Sequence, residues 1–187
     1  MKNPSLKLVI LDRDGVVNHD SDKYIKNVDE WQPIPGSLEA ISKLSHAGYK
    51  VVICTNQSGI GRGLYDVDTL NAMHDKMHKL LSKHGGHVDA IFFCPHTELD
   101  ECTCRKPNNG MFKEIMKRFD LGDSLSGIPV VGDSLRDLSA GVSLGANPHL
   151  VLTGKGEKTR AAGGLPPYTA IHADLASFVN HLLASSS

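Results

Sequence analysis

The sequence of 187 residues is poor in aromatic side chains, with 5% Phe, Trp and Tyr and a single tryptophan. This scarcity argues against a surface that stacks nucleic-acid bases. The sequence also has no excess of charge of one sign, because 20 Lys and Arg stand against 21 Asp and Glu. Any affinity for phosphate must therefore come from a few placed residues, and neither nucleic acid nor a membrane surface is an expected partner.

Long hydrophobic runs are absent as well. No apolar segment is long enough to span a bilayer, and the first one is too short for a signal-peptide core and has no small-residue cleavage site behind it. We therefore expect a cytoplasmic protein. In that reducing compartment four cysteines are more consistent with a metal site than with disulfides.

Strand-like and helix-like patterns alternate along the whole chain. Strands are predicted at 6–11, 49–54, 89–93, 128–131, 149–152 and 170–171, and helices at 38–47, 66–83, 111–119, 135–144 and 175–183, with Ser37 and Asp174 as N-caps and loops at 59–63 and after 154. This alternation predicts an α/β fold with a three-layer, Rossmann-like parallel sheet and helices on both faces. We expect one domain over 1–187, without a large cap domain, and a small monomeric protein with an open site.

The first predicted strand ends in two carboxylates one residue apart, Asp12 and Asp14, followed at once by Gly15. The carboxyl ends of the strands are where an open α/β sheet keeps its ligand crevice. Carboxylates so close repel each other and call for a cation, and oxygen ligands suit Mg²⁺. These residues alone fit equally well with acids that merely begin a turn.

Polar residues also follow the other predicted strands: Thr55 and Asn56, then Arg105 and Lys106 behind a cysteine-rich loop, then Asp133. Hydroxyl and amide groups can donate to phosphoryl oxygens, and a lysine supplies the charge that these oxygens need as negative charge develops. The order of these residues, each at a strand end, favours phosphoryl transfer more than any one of them does.

Each carboxylate has a role if the substrate is a phosphate ester. Asp12 can attack phosphorus and form an aspartyl-phosphate. Asp14 can act as general acid toward the leaving alkoxide and then as base for the water that hydrolyses the intermediate. Mg²⁺ held by Asp12, by the carbonyl of Asp14 and by Asp133 would cancel the repulsion between nucleophile and phosphate.

The cysteine-rich loop at 94–104 contains Cys94-x-His96 and Cys102-x-Cys104. Three thiols and one imidazole are the ligands of a closed tetrahedral Zn²⁺ site. Since no position stays open, this metal is expected to be structural. It would order a loop that aims Arg105 and Lys106 at the site.

These motifs together resemble those of the haloacid dehalogenase superfamily, and more closely those of its zinc-containing D-glycero-D-manno-heptose 1,7-bisphosphate 7-phosphatases, a histidinol-phosphatase-like subgroup. The resemblance extends from Leu6 to the last helix. It is carried by Asp12-Arg13-Asp14-Gly15, Thr55-Asn56-Gln57-Ser58-Gly59, Cys94-Pro95-His96, Cys102-Thr103-Cys104-Arg105-Lys106-Pro107 and Gly132-Asp133.

The resemblance implies Asp12 as the nucleophile, Asp14 as acid and base, and Mg²⁺ on Asp12, Asp14 and Asp133. It implies substrate contacts at Arg13, Asp20, Ser21, Asp22, Tyr24, Thr55, Asn56, Gln57, Ser58, Arg105, Lys106 and Ser134. The planar fork of Arg105 suits a second, distal phosphate. Arg62 is another candidate for that phosphate, or else a solvated surface residue.

The implied reaction removes the C7 phosphate of a heptose bisphosphate, a small phosphosugar, and supplies precursors of ADP-heptose and lipopolysaccharide. Histidinol-phosphate phosphatase is the nearest alternative, because the acidic run Asp20-Ser21-Asp22 could bind an imidazole-amine. A zinc-stabilised binding module without catalysis is the alternative from a different class. A nucleic-acid 3′-phosphatase is disfavoured because no basic channel is evident.

Three further residue types attract attention. His74 and His78 lie one helical turn apart without a third ligand nearby in sequence, so both are expected on a helix surface. Cys54 is expected to be a small core residue. Trp31 could either pack under the first loop or line the entrance of a pocket.

Overall fold

The computed structural model describes residues 6–186. In order along the chain, its elements are β1 (Leu8–Leu11), α1 (Ser37–His46), β2 (Lys50–Asn56), α2 (Ser58–Gly61), α3 (Val67–Lys83), β3 (Ala90–Cys94), α4 (Gly110–Arg118), β4 (Pro129–Gly132), α5 (Leu135–Val142), β5 (Asn147–Val151), α6 (Gly156–Ala162), β6 (Ala170–His172) and α7 (Leu175–Ser185). None of the helices within 6–186 combines the length and the apolar character needed to cross a membrane.

The strands form one parallel sheet in the order β3-β2-β1-β4-β5-β6. β1 lies between β2 and β4, and Leu11 is paired with Ile53 on one side and with Val131 on the other. The chain order reverses at this point, so the connections leave β1 and β4 in opposite directions. A crevice is therefore expected beyond the carboxyl ends of these two strands.

Alternate side chains of β1 enter two different cores. Val9 and Leu11 pack with apolar residues of α1, α3 and α7, whereas Leu8 and Ile10 pack with those of α4. Both faces of the sheet are thus covered by helices, as the continuous apolar character of the strand requires. The predicted three-layer parallel fold is confirmed.

The structure differs from the predicted elements at short segments. α2 and α6 lie where the sequence predicts loops, because helices of four and seven residues are too short to show an apolar period. Asp174 caps α7 as predicted, accepting from the Ser177 N–H at 2.8 Å. Ser37 is not an N-cap: α1 begins at Ser37 with Gly36 as the cap, and the Ser37 hydroxyl donates to the Val16 carbonyl at 2.9 Å.

Candidate active site

A tight turn follows β1 and presents the two carboxylates. The Asp12 N–H still donates to the Val131 carbonyl at 2.9 Å, and the chain then turns so that Gly15 N–H donates to the Asn18 carbonyl at 2.8 Å. Gly15 has a φ of 84°, and a Cβ there would collide with Asp133 Oδ2. Only glycine lets this turn approach the end of β4 so closely.

Three carboxylates meet where β1 and β4 end. One oxygen each of Asp12, Asp133 and Asp137 lies within 4.8 Å of the others. Asp133 Oδ2 accepts from the Lys155 N–H at 2.8 Å. Asp137 lies in the first turn of α5, where its Oδ2 accepts from the Ser134 N–H at 3.2 Å, as in a capping box, and from the Ser134 hydroxyl at 2.9 Å. This oxygen-donor set fits a divalent cation such as Mg²⁺.

Asp137 was not among the predicted site residues. The sequence pattern that indicates Asp137 is serine-x-x-acid at the start of a helix. This pattern puts the acid on the first turn and close to the end of the preceding strand. Ser134, predicted as a substrate contact, donates its hydroxyl to Asp137 Oδ2 and does not line the cavity described below.

Lys106 is 2% exposed and lies between two of the acids. Its Nζ is 3.1 Å from Asp12 Oδ1 and 2.6 Å from Asp137 Oδ1, and it donates to the Cys54 carbonyl at 2.7 Å. Asn56 holds the backbone of Lys106 from both sides, donating to its carbonyl at 3.1 Å and accepting from its N–H at 3.0 Å. Asn56 therefore fixes where the lysine enters the site.

The crowding of charge shifts the pKa values of these groups. Burial raises the pKa of Asp12 well above its usual range, and Asp137 adds to the rise while Lys106 opposes it. Burial raises the pKa of Asp133 to about 7, with Asp137 again adding. Burial lowers the pKa of Lys106, but Asp12 and Asp137 outweigh this effect and raise it, so the lysine stays cationic. One lysine does not balance three acids, and a further cation is called for.

Asp14 accepts hydrogen bonds on both of its carboxylate oxygens. Its Oδ1 accepts from Arg13 Nε at 2.9 Å, from Arg13 Nη2 at 2.8 Å and from Asn18 Nδ2 at 2.8 Å, whereas its Oδ2 accepts from Gln57 Nε2 at 3.2 Å. Gln57 Nε2 also donates to the Thr55 hydroxyl at 3.0 Å. The side chain of Arg13, predicted as a substrate contact, is fully buried behind Asp14 and does not line the cavity.

One cavity collects most of the predicted site. The predicted residues that line it are Asp12, Asp14, Asp20, Ser21, Asp22, Tyr24, Thr55, Asn56, Gln57, Ser58, Arg105, Lys106 and Asp133. Lining residues that sequence reasoning missed are Ile25, Tyr65, Arg136, Asp137 and Lys155. Lys155 comes four residues after the end of β5, so its position beyond a strand end indicates a site residue in the same way as for Asp12 and Asp133.

Cationic side chains besides Lys106 line this cavity, among them Arg62, Arg105 and Lys155. Arg62 and Arg105 both lie against Glu98: Arg62 forms an ion pair with it, and Arg105 Nη2 is 3.8 Å from its Oε2. The Arg62 guanidinium is also 5.7 Å from the ring centroid of Tyr24. Lys155 Nζ is 2.9 Å from Asp20 Oδ2. Arg62 is therefore part of the cavity wall rather than a free surface residue.

The loop after β3 gathers the predicted sulfur and nitrogen ligands. His96 Nδ1 is 3.5 Å from Cys94 Sγ and 3.2 Å from Cys104 Sγ, Cys102 Sγ is 3.9 Å from Cys94 Sγ, and all four ligand atoms lie within 4.8 Å of one another. The cysteines are free thiols. The Cys94 carbonyl accepts from the Gln57 N–H at 2.7 Å, so this cluster adjoins the cavity. Three thiols and an imidazole are the donors of a closed zinc site.

The remaining residues singled out from the sequence fall in different places. The prediction that His74 lies on the helix surface is wrong, because His74 is 6% exposed and its Nε2 lies 3.2 Å from Arg13 Nη1. His78 is exposed as predicted. The apolar period of α3 predicts which face is buried but not that a polar residue at its edge has a buried partner. Trp31 is fully buried in the core and does not line the cavity, and Cys54 is buried in β2.

A parallel sheet with an Asp-x-Asp turn after β1, a buried lysine and acids after β4 defines a hydrolase of the haloacid dehalogenase class. Two family models match the chain: polynucleotide kinase 3 phosphatase over residues 7–135 and a HAD-hydrolase-like model over residues 103–178. The chain is 56% identical over 178 residues to D-glycero-beta-D-manno-heptose-1,7-bisphosphate 7-phosphatase of Bordetella bronchiseptica, covering 95% of this chain and 98% of that protein. The corresponding protein of Pseudomonas putida is 50% identical over 178 residues, covering 95% of this chain and 100% of that protein.

A solved structure agrees with these relatives. The crystal structure of D,D-heptose 1,7-bisphosphate phosphatase from B. bronchiseptica, complexed with magnesium and phosphate, has a TM-score of 0.94 at 56% identity and covers 96% of this chain and 99% of that chain. The chain belongs to the D-glycero-D-manno-heptose 1,7-bisphosphate 7-phosphatase family of the haloacid dehalogenase superfamily. The resemblance stated from the motifs is confirmed.

Proposed function

We propose that this protein is a phosphatase that removes the C7 phosphate of D-glycero-β-D-manno-heptose 1,7-bisphosphate through an aspartyl-phosphate. Relatives that carry this name match it along almost their whole length, at 56% and 50% identity. The observation that carries the proposal is the position of Asp12, which lies at the end of β1 against Lys106 and beside Asp133 and Asp137.

In the first step Asp12 attacks phosphorus. Lys106 Nζ and the Arg13 N–H both contact Asp12 Oδ1, so we assign the attack to Oδ2. A bond forms between this oxygen and phosphorus while the bond from phosphorus to the C7 oxygen breaks. Asp14 Oδ2 gives its proton to that leaving oxygen, which departs as the hydroxyl of the sugar.

In the second step water hydrolyses the aspartyl-phosphate. Asp14, now a carboxylate, takes a proton from the water as its oxygen bonds to phosphorus, and Asp12 leaves as a free carboxylate. Thr55, Asn56 and Lys106 are the proposed donors to the phosphoryl oxygens in both steps. Asp12, the carbonyl of Asp14 and Asp133 would hold Mg²⁺, which supplies charge neutralisation when bound.

We place the second phosphate of the substrate at the part of the cavity that is lined by Arg62 and Arg105. Glu98 contacts Arg62 and Arg105 together, which sets both guanidinium groups on one side of the site. A planar fork matches phosphate oxygens better than an ammonium does. We propose Arg105 as the main contact of the C1 phosphate and Arg62 as its neighbour.

We propose a structural Zn²⁺ on Cys94, His96, Cys102 and Cys104. All four ligand atoms lie within 4.8 Å of one another, which supports this site. The site is next to Arg105, whose Nη1 donates to the His96 carbonyl at 3.4 Å. Free thiols are typical of proteins in the reducing cytoplasm, where we place this enzyme. Its proposed role there is to provide precursors of ADP-heptose and lipopolysaccharide. A small phosphosugar is its proposed partner.

A substrate panel tests this function. Phosphate release is measured with Mg²⁺ on the β- and α-anomers of the heptose bisphosphate, on histidinol phosphate and on an oligonucleotide with a 3′-phosphate. We expect the highest kcat/KM on the β-anomer. Preference for histidinol phosphate would overturn the proposal and would assign its amine to Asp20 and Asp22, which line the cavity. Preference for the oligonucleotide would overturn it in favour of the polynucleotide phosphatase family model.

The covalent step is tested separately by Asp12→Asn. An amide is a poor nucleophile, so we expect phosphate release on every substrate to fall at least ~10³-fold. Metal content of the cysteine cluster and the unfolding midpoint should stay near those of the wild type. Activity that survives the substitution would contradict attack by Asp12.

A further inference from the structure

Arg13 and His74 form a buried polar pair that lies behind the cavity. Arg13 is fully buried and His74 is 6% exposed, and neither lines the cavity. Two of the guanidinium nitrogens, Nε and Nη2, donate to Asp14 Oδ1, and the third, Nη1, lies 3.2 Å from His74 Nε2. The histidine is thus separated from Asp14 by one side chain.

The chemistry of the pair determines which group donates. Arginine in a protein is always a donor, so the Nε2 atom of His74 must accept and its proton must be on Nδ1. Burial, together with the charge of Arg13, lowers the pKa of His74 to about 3, so the ring is neutral. A neutral acceptor satisfies Nη1 without drawing Arg13 away from the carboxylate of Asp14.

The two carboxylate oxygens of Asp14 differ in how many hydrogen bonds they accept. Arg13 and Asn18 together place three donors on Oδ1, while Oδ2 has one longer contact, from Gln57 at 3.2 Å. A proton on Asp14 is therefore best accommodated on Oδ2, which is the oxygen that can deliver it to a leaving group. A guanidinium free to rotate would lose this difference between the two oxygens.

We propose that His74 is a positioning residue for the reaction: through its contact with Arg13 Nη1 it locks the guanidinium on Asp14 Oδ1 and leaves Oδ2 to protonate the leaving oxygen. This inference rests on the proposed function in its assignment of Asp14 as the proton donor. It does not depend on which phosphosugar is the substrate.

The experiment compares two kinds of leaving group. A sugar phosphate leaves as a basic alkoxide that needs the proton, whereas 4-nitrophenyl phosphate leaves as a stable phenolate that does not. The readout is the ratio of kcat/KM for the best sugar phosphate of the wild type to kcat/KM for 4-nitrophenyl phosphate. Asp14→Asn gives the ratio expected when the proton donor is absent.

Three variants at position 74 are compared with a matched control at position 78. His74→Leu removes the acceptor, and we expect the ratio to fall roughly tenfold, within the range that general acid catalysis covers. His74→Gln places an oxygen near the position of Nε2 and should restore most of the ratio. His74→Asn is polar but too short to reach Arg13, so its ratio should stay low. His78→Gln, on the exposed side of the same helix, should leave the ratio unchanged.

Each outcome decides the proposal. Equal losses on both substrates in His74→Leu would show a purely structural role and overturn it. If His74→Leu does not fold, the comparison of Gln with Asn decides, and equal ratios in those two variants would overturn it. An unchanged ratio in Asp14→Asn would instead refute Asp14 as the proton donor, a failure of the proposed function that is seen independently of His74.

Discussion

At the scale of the residue, Lys106 decides the charge balance of the site. It is buried, and its ammonium lies between Asp12 and Asp137. Lys106→Met keeps the length of the side chain but leaves both carboxylates without their counter-charge. We expect phosphate release to fall at least ~100-fold and the free energy of unfolding to fall by roughly 3 kcal/mol, because breaking a buried pair strands a charge.

Phosphate release and urea denaturation check this prediction. Lys113→Met, at an exposed position of α4, is the matched control and should change neither quantity by much. A Lys106→Met protein as stable as the control would mean that the pairs contribute nothing to folding. Full activity in that variant would exclude Lys106 from stabilising the phosphoryl group.

The residues that the sequence predicted share one geometric cause. Asp12 and Asp133 directly follow β1 and β4, and Thr55 is the last residue but one of β2. Parallel strands bring their carboxyl ends to one edge of the sheet whatever the rest of the fold does. Asp137 and His74 lie inside helices. Their partners depend on how each helix is rotated against the sheet, which local pattern does not determine.

At the scale of the element, histidines join β5, β6 and α7. His149 Nδ1 is 3.0 Å from His172 Nε2, and both rings pack on Phe178 at centroid distances of 4.8 and 5.4 Å. His181 of α7 lies 5.5 Å from the His172 ring. Burial lowers the pKa of His149 from its usual 6.5 to about 4, with His172 and His181 adding to the effect.

This lowered pKa predicts a pH dependence of stability. Between pH 6.5 and pH 4 the unfolded chain binds a proton at His149 that the folded protein does not, so stability must fall as the pH falls through this window. We expect a contribution of about 2 kcal/mol after allowance for partial exposure of the ring. His149→Gln should remove it, so that the variant loses less stability than the wild type between pH 7 and pH 4.5.

Urea denaturation at the two pH values measures the difference. His181→Gln, at an exposed position, is the control and should keep most of the wild-type slope. The same slope in His149→Gln and in the wild type would show that His149 does not carry this pH dependence.

The loop between β3 and α4 is the element that depends most on the proposed zinc. Arg105 comes directly after Cys104, and Asn56 holds the next residue, Lys106, by its backbone. We expect Cys102→Ser to lower the zinc content, to lower the unfolding midpoint and to raise KM several-fold, because the loop orders Arg105. The effect on kcat should be smaller, since Asn56 keeps Lys106 in place.

Metal analysis, a thermal melt and steady-state kinetics with added Mg²⁺ test these expectations. A zinc-selective chelator applied to the wild type should reproduce the phenotype, and added zinc should reverse it in the wild type only. A chelated wild type with unchanged melting and KM would contradict a structural role for this metal.

Among the elements, the long helices follow the apolar period of the sequence and the short ones do not. The apolar period of α3 predicts a buried stripe of Leu70, Met73, Met77, Leu80 and Leu81, and all of these are buried except Leu80, which is half-buried. The short helices α2 and α6 have no such stripe. They form because the loops that leave β2 and β5 are held at the site by long-range contacts, such as the hydrogen bond from Thr159 Oγ1 to the Asp133 carbonyl at 2.7 Å.

At the scale of the whole molecule, the site exists because the sheet reverses its order between β1 and β4. This reversal brings Asp12 and Asp133 together although 120 residues lie between them in sequence. The alternation of strands and helices predicts a parallel sheet, but several strand orders satisfy it. A single domain and a monomeric state stay predictions.

The same convergence predicts that Mg²⁺ stabilises the whole fold. Acids from the end of β1, from the end of β4 and from the first turn of α5 repel one another, and burial makes this costly. A cation that binds only the folded protein adds RT ln(1 + [Mg²⁺]/Kd), about 1.4 kcal/mol at ten times Kd. For a chain of this size we expect a rise in Tm of roughly 2–6 °C. Calorimetry with and without Mg²⁺ measures this rise in Tm. The Asp133→Asn variant should lose most of it, because one of the carboxylates that would bind the cation is gone. An equal rise in Tm in that variant would place the cation away from these carboxylates.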